Sequence, residues 1–202
     1  MTKIKLCGLS RKEDIAAANA LMPEFVGFVF ARGSRRYVSP AQAQALKAAL
    51  APGIRAVGVF VDESADAVAA LLNGGVIDLA QLHGGEGEAY LAALRERTEK
   101  PVIQAFRIGT REDVQRAQHS SADYVLLDSG AGTGVPFDWG LLEGVKRRYF
   151  LAGGLDGANV AGAIRALRPF AVDVSSGIET GGKKDKNKMA AFVEAVRKED
   201  KA

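Results

Sequence analysis

The stretch KIKLCGLSRKEDIAAANAL, residues 3–21, holds the pattern from which the whole chain is built. A short apolar run, Ile4 to Cys7, is followed by the turn Gly8-Leu9-Ser10. An alanine-rich amphipathic segment from about Arg11 to Leu21 comes next, with Ser10 as its expected cap. An apolar run of strand length before a segment with helical periodicity is one βα unit. Outward from it the unit recurs. Strands are expected at Phe25–Phe30, Arg55–Val61, Asp78–Leu82, Val102–Phe106, Tyr124–Leu127, Phe150–Ala152 and Ala171–Val174. Helices are expected after Ser39-Pro40, from Ser64, over Glu86–Arg97, from a Thr110 cap to Gln118, weakly near Trp139–Val145, over Ala158–Leu167 and over Asn187–Arg197. Eight consecutive βα units favour closure into a barrel, since an open doubly wound sheet usually stops earlier. The first turn also lacks the glycine fingerprint common in open sheets. No linker or low-complexity segment interrupts the units, so residues 1–202 are read as a single α/β domain, a (β/α)8 TIM barrel of eight parallel strands.

Composition narrows the partners. Hydrophobic residues make up 48% of the chain, enough for a sizeable core. Lys and Arg number 27 against 24 Asp and Glu, and no long basic block occurs, which argues against nucleic acid as a partner. The N-terminus is too short in apolar length for a signal peptide, and no stretch has the length of a membrane span. A single cysteine excludes an intrachain disulfide, and a reducing, cytoplasmic setting is the expectation.

Barrel enzymes carry their chemistry at the C-terminal strand ends. Those positions here are Cys7, Arg35, Arg36, Asp62, Gln81, His83, Arg107, Asp128, Gly153, Gly154 and Ser175 to Gly177. The ends of strands seven and eight, Leu-Ala-Gly-Gly-Leu (151–155) and Asp-Val-Ser-Ser-Gly-Ile-Glu (173–179), suit an anion. Glycine lets backbone N–H groups approach phosphate oxygens, and serine adds hydroxyl donors. Gly154, Ser175, Ser176 and Gly177 are therefore candidate phosphate contacts, and a small phosphorylated molecule is the expected partner. Strand parity turns Lys5 and Cys7 into the barrel, with Asp173 inward on the adjoining strand eight and Asp128 inward on strand six. An interior lysine needs a partner, so a Lys5–Asp173 ion pair is expected. Its ammonium could also depress the Cys7 thiol.

These motifs, in this order, resemble those of the phosphoribosylanthranilate isomerase family over nearly the whole chain. The resemblance runs through Lys-Ile-Lys-Leu-Cys-Gly-Leu (3–9), Gly-Phe-Val-Phe (27–30) with Ser34 to Ser39, and Val-Gly-Val-Phe-Val (57–61). It continues in Gln-Leu-His-Gly (81–84), Leu-Leu-Asp-Ser (126–129), Gly-Thr-Gly (132–134) before Phe137-Asp138-Trp139, and both phosphate-type strand ends. Two departures stand out: Arg35 where proline is expected, and Ala131 where glycine is usual.

The resemblance implies an Amadori rearrangement of N-(5-phosphoribosyl)anthranilate in tryptophan biosynthesis, with no metal or other cofactor. It implies Cys7 as general base and Asp128 as general acid. Arg36 would meet the anthranilate carboxylate, His83 would contact substrate or order its loop, and Asp62 and Arg107 would be secondary contacts. Both roles demand tuning, because an ordinary aspartate is ionised at neutral pH and an ordinary thiol is not. The Cys7 thiol is accordingly expected to be depressed. The related histidine-pathway isomerase is expected to carry aspartate where this chain has Cys7. Indoleglycerol-phosphate synthase needs strand-end lysine and glutamate that this chain lacks, and a non-catalytic phosphate sensor would not need the Cys7–Asp128 pair. The working unit is expected to be a monomer or homodimer.

Overall fold

The structure is a computed structural model, described over residues 1–128 and 139–201. Eight parallel strands close into a barrel: β1 (Lys3–Cys7), β2 (Phe25–Val29), β3 (Arg55–Phe60), β4 (Leu79–Leu82), β5 (Val102–Arg107), β6 (Tyr124–Asp128), β7 (Tyr149–Ala152) and β8 (Ala171–Val174). Closure is made by β8 against β1, where Lys5 is in register with Asp173. Helices α1 (Lys12–Leu21), α2 (Pro40–Ala48), α3 (Ala65–Asn73), α4 (Glu88–Arg95), α5 (Arg111–His119), α6 (Val160–Leu167) and α7 (Lys186–Glu199) follow in chain order. A short hairpin of β9 (Glu179–Thr180) and β10 (Lys183–Lys184) lies between β8 and α7. No helix among the described residues is long and apolar enough to cross a membrane.

Alternation along the strands divides the apolar residues into an outer and an inner set, with a small third cluster of Cys7, Val29 and Val59. Ile4, Leu6, Val26, Phe28, Leu127 and Val172 face the helices. Phe25, Val57, Leu79, Ile103, Leu126, Phe150 and Ala171 fill the lower barrel. Ser39, Ser64 and Thr110 cap α2, α3 and α5 through their hydroxyls, as their sequence positions predict.

Three expectations change. Ser10 does not cap α1; Arg11 is the cap residue. The Asp14 carboxylate reaches back to accept from Ser10 N (3.0 Å) and Arg11 N (3.1 Å), satisfying those donors from inside the helix. Helix α4 starts at Glu88, not Glu86, because the Glu86 carboxylate is used to accept from Asp62 N and Gly84 N, both at 2.7 Å. Trp139–Val145 is not an α-helix but a 3-10 turn over Trp139–Leu142; Gly144, at φ 84°, turns the chain into the left-handed region and ends it. The motif residues Ser129, Gly132-Thr133-Gly134 and Phe137-Asp138, with Ala131, lie outside the described residues.

Candidate active site

An open cavity of about 340 Å³ occupies the C-terminal mouth of the barrel. Its walls include Cys7, Arg36, Gln81, His83, Asp128, Gly153, Gly154, Asp173, Ser175 and Ser176. Strand parity brings Cys7, Gln81, Asp128 and Asp173 to one place, and the loops after β2, β4, β7 and β8 bring Arg36, His83 and the glycine–serine segments to it. Arg107, exposed at the end of β5, lines a neighbouring groove with Gly84 to Glu88 instead. Asp62 lies outside the cavity and organises the loop after β4, accepting from Gly85 N at 2.7 Å while its own backbone adopts φ 52°. Neither lines the cavity that holds Cys7 and Asp128.

Cys7 closes β1 beside Gly27 of β2. A Cβ at that glycine would lie 2.6 Å from Cys7 Sγ, so the absent side chain is what makes room for the thiol. Below it the Lys5 ammonium, fully buried, donates to Asp173 Oδ2 at 2.9 Å, Gln81 Oε1 at 2.7 Å and Cys7 Sγ at 3.3 Å. The expected Lys5–Asp173 pair is present. Its effect on the thiol differs from expectation: burial pushes the Cys7 thiol above its ordinary value, and the nearby Asp173 charge adds to this. The opposing pull of Lys5 is real but smaller. The reason is that Lys5 arrives with its own counter-ion, so Cys7 meets a nearly neutral pair within a desolvated pocket. For Lys5, burial works against the charge, but Asp173 and Cys7 outweigh it and its pKa is raised.

A second chain of contacts leads toward β6. Gln81 Nε2 lies 2.8 Å from His83 Nδ1, and His83 Nε2 lies 3.7 Å from Asp128 Oδ2. His83 is about a third exposed and Asp128 is half-buried, so both reach the cavity.

The opposite wall is built on Glu179 and Lys184, which sequence reasoning placed inside motifs without assigning them a role. Buried Glu179 accepts from Arg36 Nε at 2.7 Å and Arg36 Nη2 at 3.0 Å, from Arg35 Nη2 at 2.7 Å and from Lys184 Nζ at 2.7 Å. Burial alone would raise its carboxyl, but the hydrogen bonds from Arg36 and Lys184 win and bring it down to about 2. Lys184 also donates to Ser175 O at 2.9 Å, and Ser175 Oγ donates to Cys7 O at 3.3 Å. The serine of the phosphate-type loop is thus held from behind by a buried cation. Gly177 does not line the cavity. A Cβ there would lie 2.0 Å from Leu155 O, so this glycine lets the loop after β8 pack on the loop after β7. Arg36 lines the cavity, whereas Arg35 is mostly exposed and touches Glu179 from outside. The only sequence signal for Glu179 and Lys184 was an acid and a base flanking glycines after strand eight.

A closed eightfold barrel with a thiol, a carboxylate and glycine–serine strand ends at its C-terminal mouth defines a barrel enzyme acting on a small anionic substrate. The chain belongs to the N-(5'-phosphoribosyl)anthranilate isomerase family, whose model matches residues 4–195. It is 42% identical to the enzyme of that name from Endomicrobium trichonymphae over 98% of this chain and 99% of that one. It is 43% identical to the corresponding enzyme of Caldanaerobacter subterraneus over 98% of both chains. The phosphoribosyl anthranilate isomerase structure from Thermotoga maritima superposes with a TM-score of 0.90 at 34% identity, covering 98% of this chain and 100% of that one. A family structure in complex with reduced 1-(o-carboxyphenylamino)-1-deoxyribulose 5-phosphate matches with a TM-score of 0.87 at 35% identity, over 98% of this chain and all of that one.

Proposed function

We propose that this chain isomerises N-(5-phosphoribosyl)anthranilate to 1-(2-carboxyphenylamino)-1-deoxyribulose 5-phosphate, with Cys7 as base and Asp128 as acid. The observation that carries the assignment of roles is that this thiol and this carboxylate line one cavity with the Gly153–Gly154 and Ser175–Ser176 loops, which follow the two strands between β6 and β1. Asp128 donates a proton to the furanose ring oxygen as the C1–O bond breaks, and the anilino nitrogen lone pair forms the C1=N iminium. The Cys7 thiolate then takes the C2 proton. The C–H electrons become the C1=C2 bond, and the iminium π electrons return to nitrogen. The resulting enolamine loses its hydroxyl proton and gains one at C1 to give the ketone. Each proton transfer by a positioned group contributes typically ~10²–10⁴-fold.

The geometry of the walls supports the remaining roles. Gly154, Ser175 and Ser176 hold the phosphate, and Gly177 shapes their loop. Arg36 takes the anthranilate carboxylate: Glu179 engages its Nε and Nη2 and so fixes the guanidinium plane while Nη1 is left for the substrate. Two anchors at the same barrel mouth hold the substrate against the acid and base, which lowers the entropic cost of reaction. His83 contacts the substrate beside Asp128. The thiol, raised by burial, works from a minor thiolate population at neutral pH, and Lys5 stands at 3.3 Å to stabilise the thiolate as it forms. The setting we infer is cytoplasmic and the working unit a monomer or homodimer; the Thermotoga maritima relative is described as dimeric.

The test follows the fluorescence loss of freshly made phosphoribosylanthranilate with wild type, Cys7→Ser and Asp128→Asn. Turnover by the wild type and loss of about 10²-fold or more in each variant are expected. No wild-type turnover sinks the activity, and full turnover in both variants sinks the roles. Sedimentation of the purified chain decides between monomer and dimer.

A further inference from the structure

The chain has two histidines, and their neighbours place the ring proton on opposite nitrogens. His119 Nδ1 lies 2.7 Å from Gln115 O; a carbonyl only accepts, so Nδ1 carries the hydrogen. For His83 the constraint comes from Lys5. An ammonium has three donors and no acceptor, so the Gln81 atom 2.7 Å from Lys5 Nζ is the amide oxygen. The Gln81 amide nitrogen then points the other way, 2.8 Å from His83 Nδ1. An amide NH2 only donates, so Nδ1 accepts. A neutral imidazole has one ring proton, which leaves it on Nε2, the atom 3.7 Å from Asp128 Oδ2.

We propose that Lys5 and Gln81 are positioning residues that lock His83 in its Nε2–H tautomer, so that an N–H and not a lone pair is turned toward Asp128. Gln81 is buried and Lys5 fully so, and Asp173 holds the ammonium from the other side, which leaves the amide no second orientation that satisfies its neighbours. Through these contacts one buried cation touches both ends of the site: Cys7 Sγ directly, and Asp128 by way of Gln81 and His83. The kinetic consequence rests on the proposed role of Asp128. Once Asp128 has given up its proton, an N–H facing its oxygen stabilises the carboxylate left behind, while the reversed tautomer would oppose it with a lone pair.

The experiment uses protein labelled with 15N-histidine, without substrate, at alkaline pH, above the ordinary imidazole range. Protonated and bare ring nitrogens resonate far apart, and a His83→Asn variant assigns the two rings. The expected spectrum has His83 protonated at Nε2 and His119 at Nδ1. A Gln81→Glu variant presents only acceptors and should move the His83 proton to Nδ1. For kinetics Gln81→Met adds no charge. Its kcat should fall about tenfold, the scale of one lost hydrogen bond to a charged group, with KM within about twofold. Combined with His83→Asn it should cost nothing beyond His83→Asn alone. An Nδ1–H His83 in the wild type overturns the proposal, as do unchanged kcat in Gln81→Met or multiplying effects in the double variant. If Gln81→Met does not fold, the wild-type spectrum decides by itself. Failure of the catalytic reading is distinguishable, because active Asp128→Asn protein would remove the role of Asp128 and leave the tautomer untouched.

Discussion

The interior of the barrel has a floor and a mouth made from the same eight strands, two residues apart. On the floor, Phe25, Leu126 and Phe150 pack with Tyr124 and Phe170; the Phe25–Phe150 ring centroids are 5.3 Å apart edge to face, and Tyr124 stacks on Phe170 at 5.3 Å. Cations close it from below, with Lys3 5.4 Å over the Phe170 ring and Arg55 4.5 Å over Phe25. Above it the inward residues are Lys5, Gln81 and Asp173, with Cys7 and Asp128 at the rim. The floor needs only volume and shape, and any good filling would serve. The mouth holds buried polar groups, each placed by the partner it requires. A buried charge network is a poor way to stabilise a barrel, because desolvation offsets much of the attraction. Its presence directly under the cavity therefore speaks for placement of Cys7 and His83 over stability.

That contrast can be broken at several points. The largest effect is expected at the top of the mouth: Asp128→Asn should lower kcat by about 10²–10⁴-fold with little change in thermal midpoint, measured by turnover and calorimetry. Lys5→Met removes one partner of a buried pair and should cost about 3–5 kcal/mol in chemical denaturation. Adding Asp173→Leu should recover much of that stability but no activity, which would separate placement from stability. On the floor, Phe150→Ala should cost a similar ~3–5 kcal/mol through the cavity it leaves, while turnover per folded molecule at low temperature stays near wild type. A floor variant that kept its stability but lost activity would erase the distinction.

Smaller effects sharpen it. Glu179, ordinarily near 4.5, lies at about 2 in the folded chain, so folding favours its ionised form. Its contribution is full above the unfolded value and is lost as pH falls through about 2; for a shift of this size it amounts to roughly 3 kcal/mol. Glu179→Gln should therefore lose stability at neutral pH, and the gap to wild type should narrow as pH falls toward 2. Because burial raises the Cys7 thiol, the base-side limb of kcat/KM should climb beyond the ordinary thiol range, and iodoacetamide alkylation should follow the same curve. Removing the Lys5 charge should move that curve to still higher pH.

The barrel and its interior were largely legible from the chain alone. Alternation in Ile4 to Cys7 and its seven repeats gives strand parity, and closure makes β8 the neighbour of β1. The Lys5–Asp173 pair follows from those two facts, because a charge turned inward must find its partner on an adjacent strand. Cys7 and Asp128 reach one cavity for the same reason, and Arg36, His83 and the glycine–serine segments reach it because they follow strand ends at the same mouth. What stayed hidden depends on contacts across large sequence separations. Glu179 captures Arg36 from 143 positions away, and nothing local to either residue announces it. The 3-10 turn at Trp139–Leu142 has the sequence pattern of a helix, because apolar spacing cannot report that Gly144 turns left-handed.

The sequence by itself determined which residues face inward and in what vertical order, since a period of two and eight repeats leave little choice. Only the tertiary structure decided the chemical state of those residues. Whether the Cys7 thiol rises or falls depends on how much water is excluded and on where the counter-charge of Lys5 lies. Which nitrogen of His83 carries its proton depends on an amide oriented by an ammonium on another strand. Burial and hydrogen-bond direction are properties of the assembled barrel, so no reading of one strand at a time could supply them.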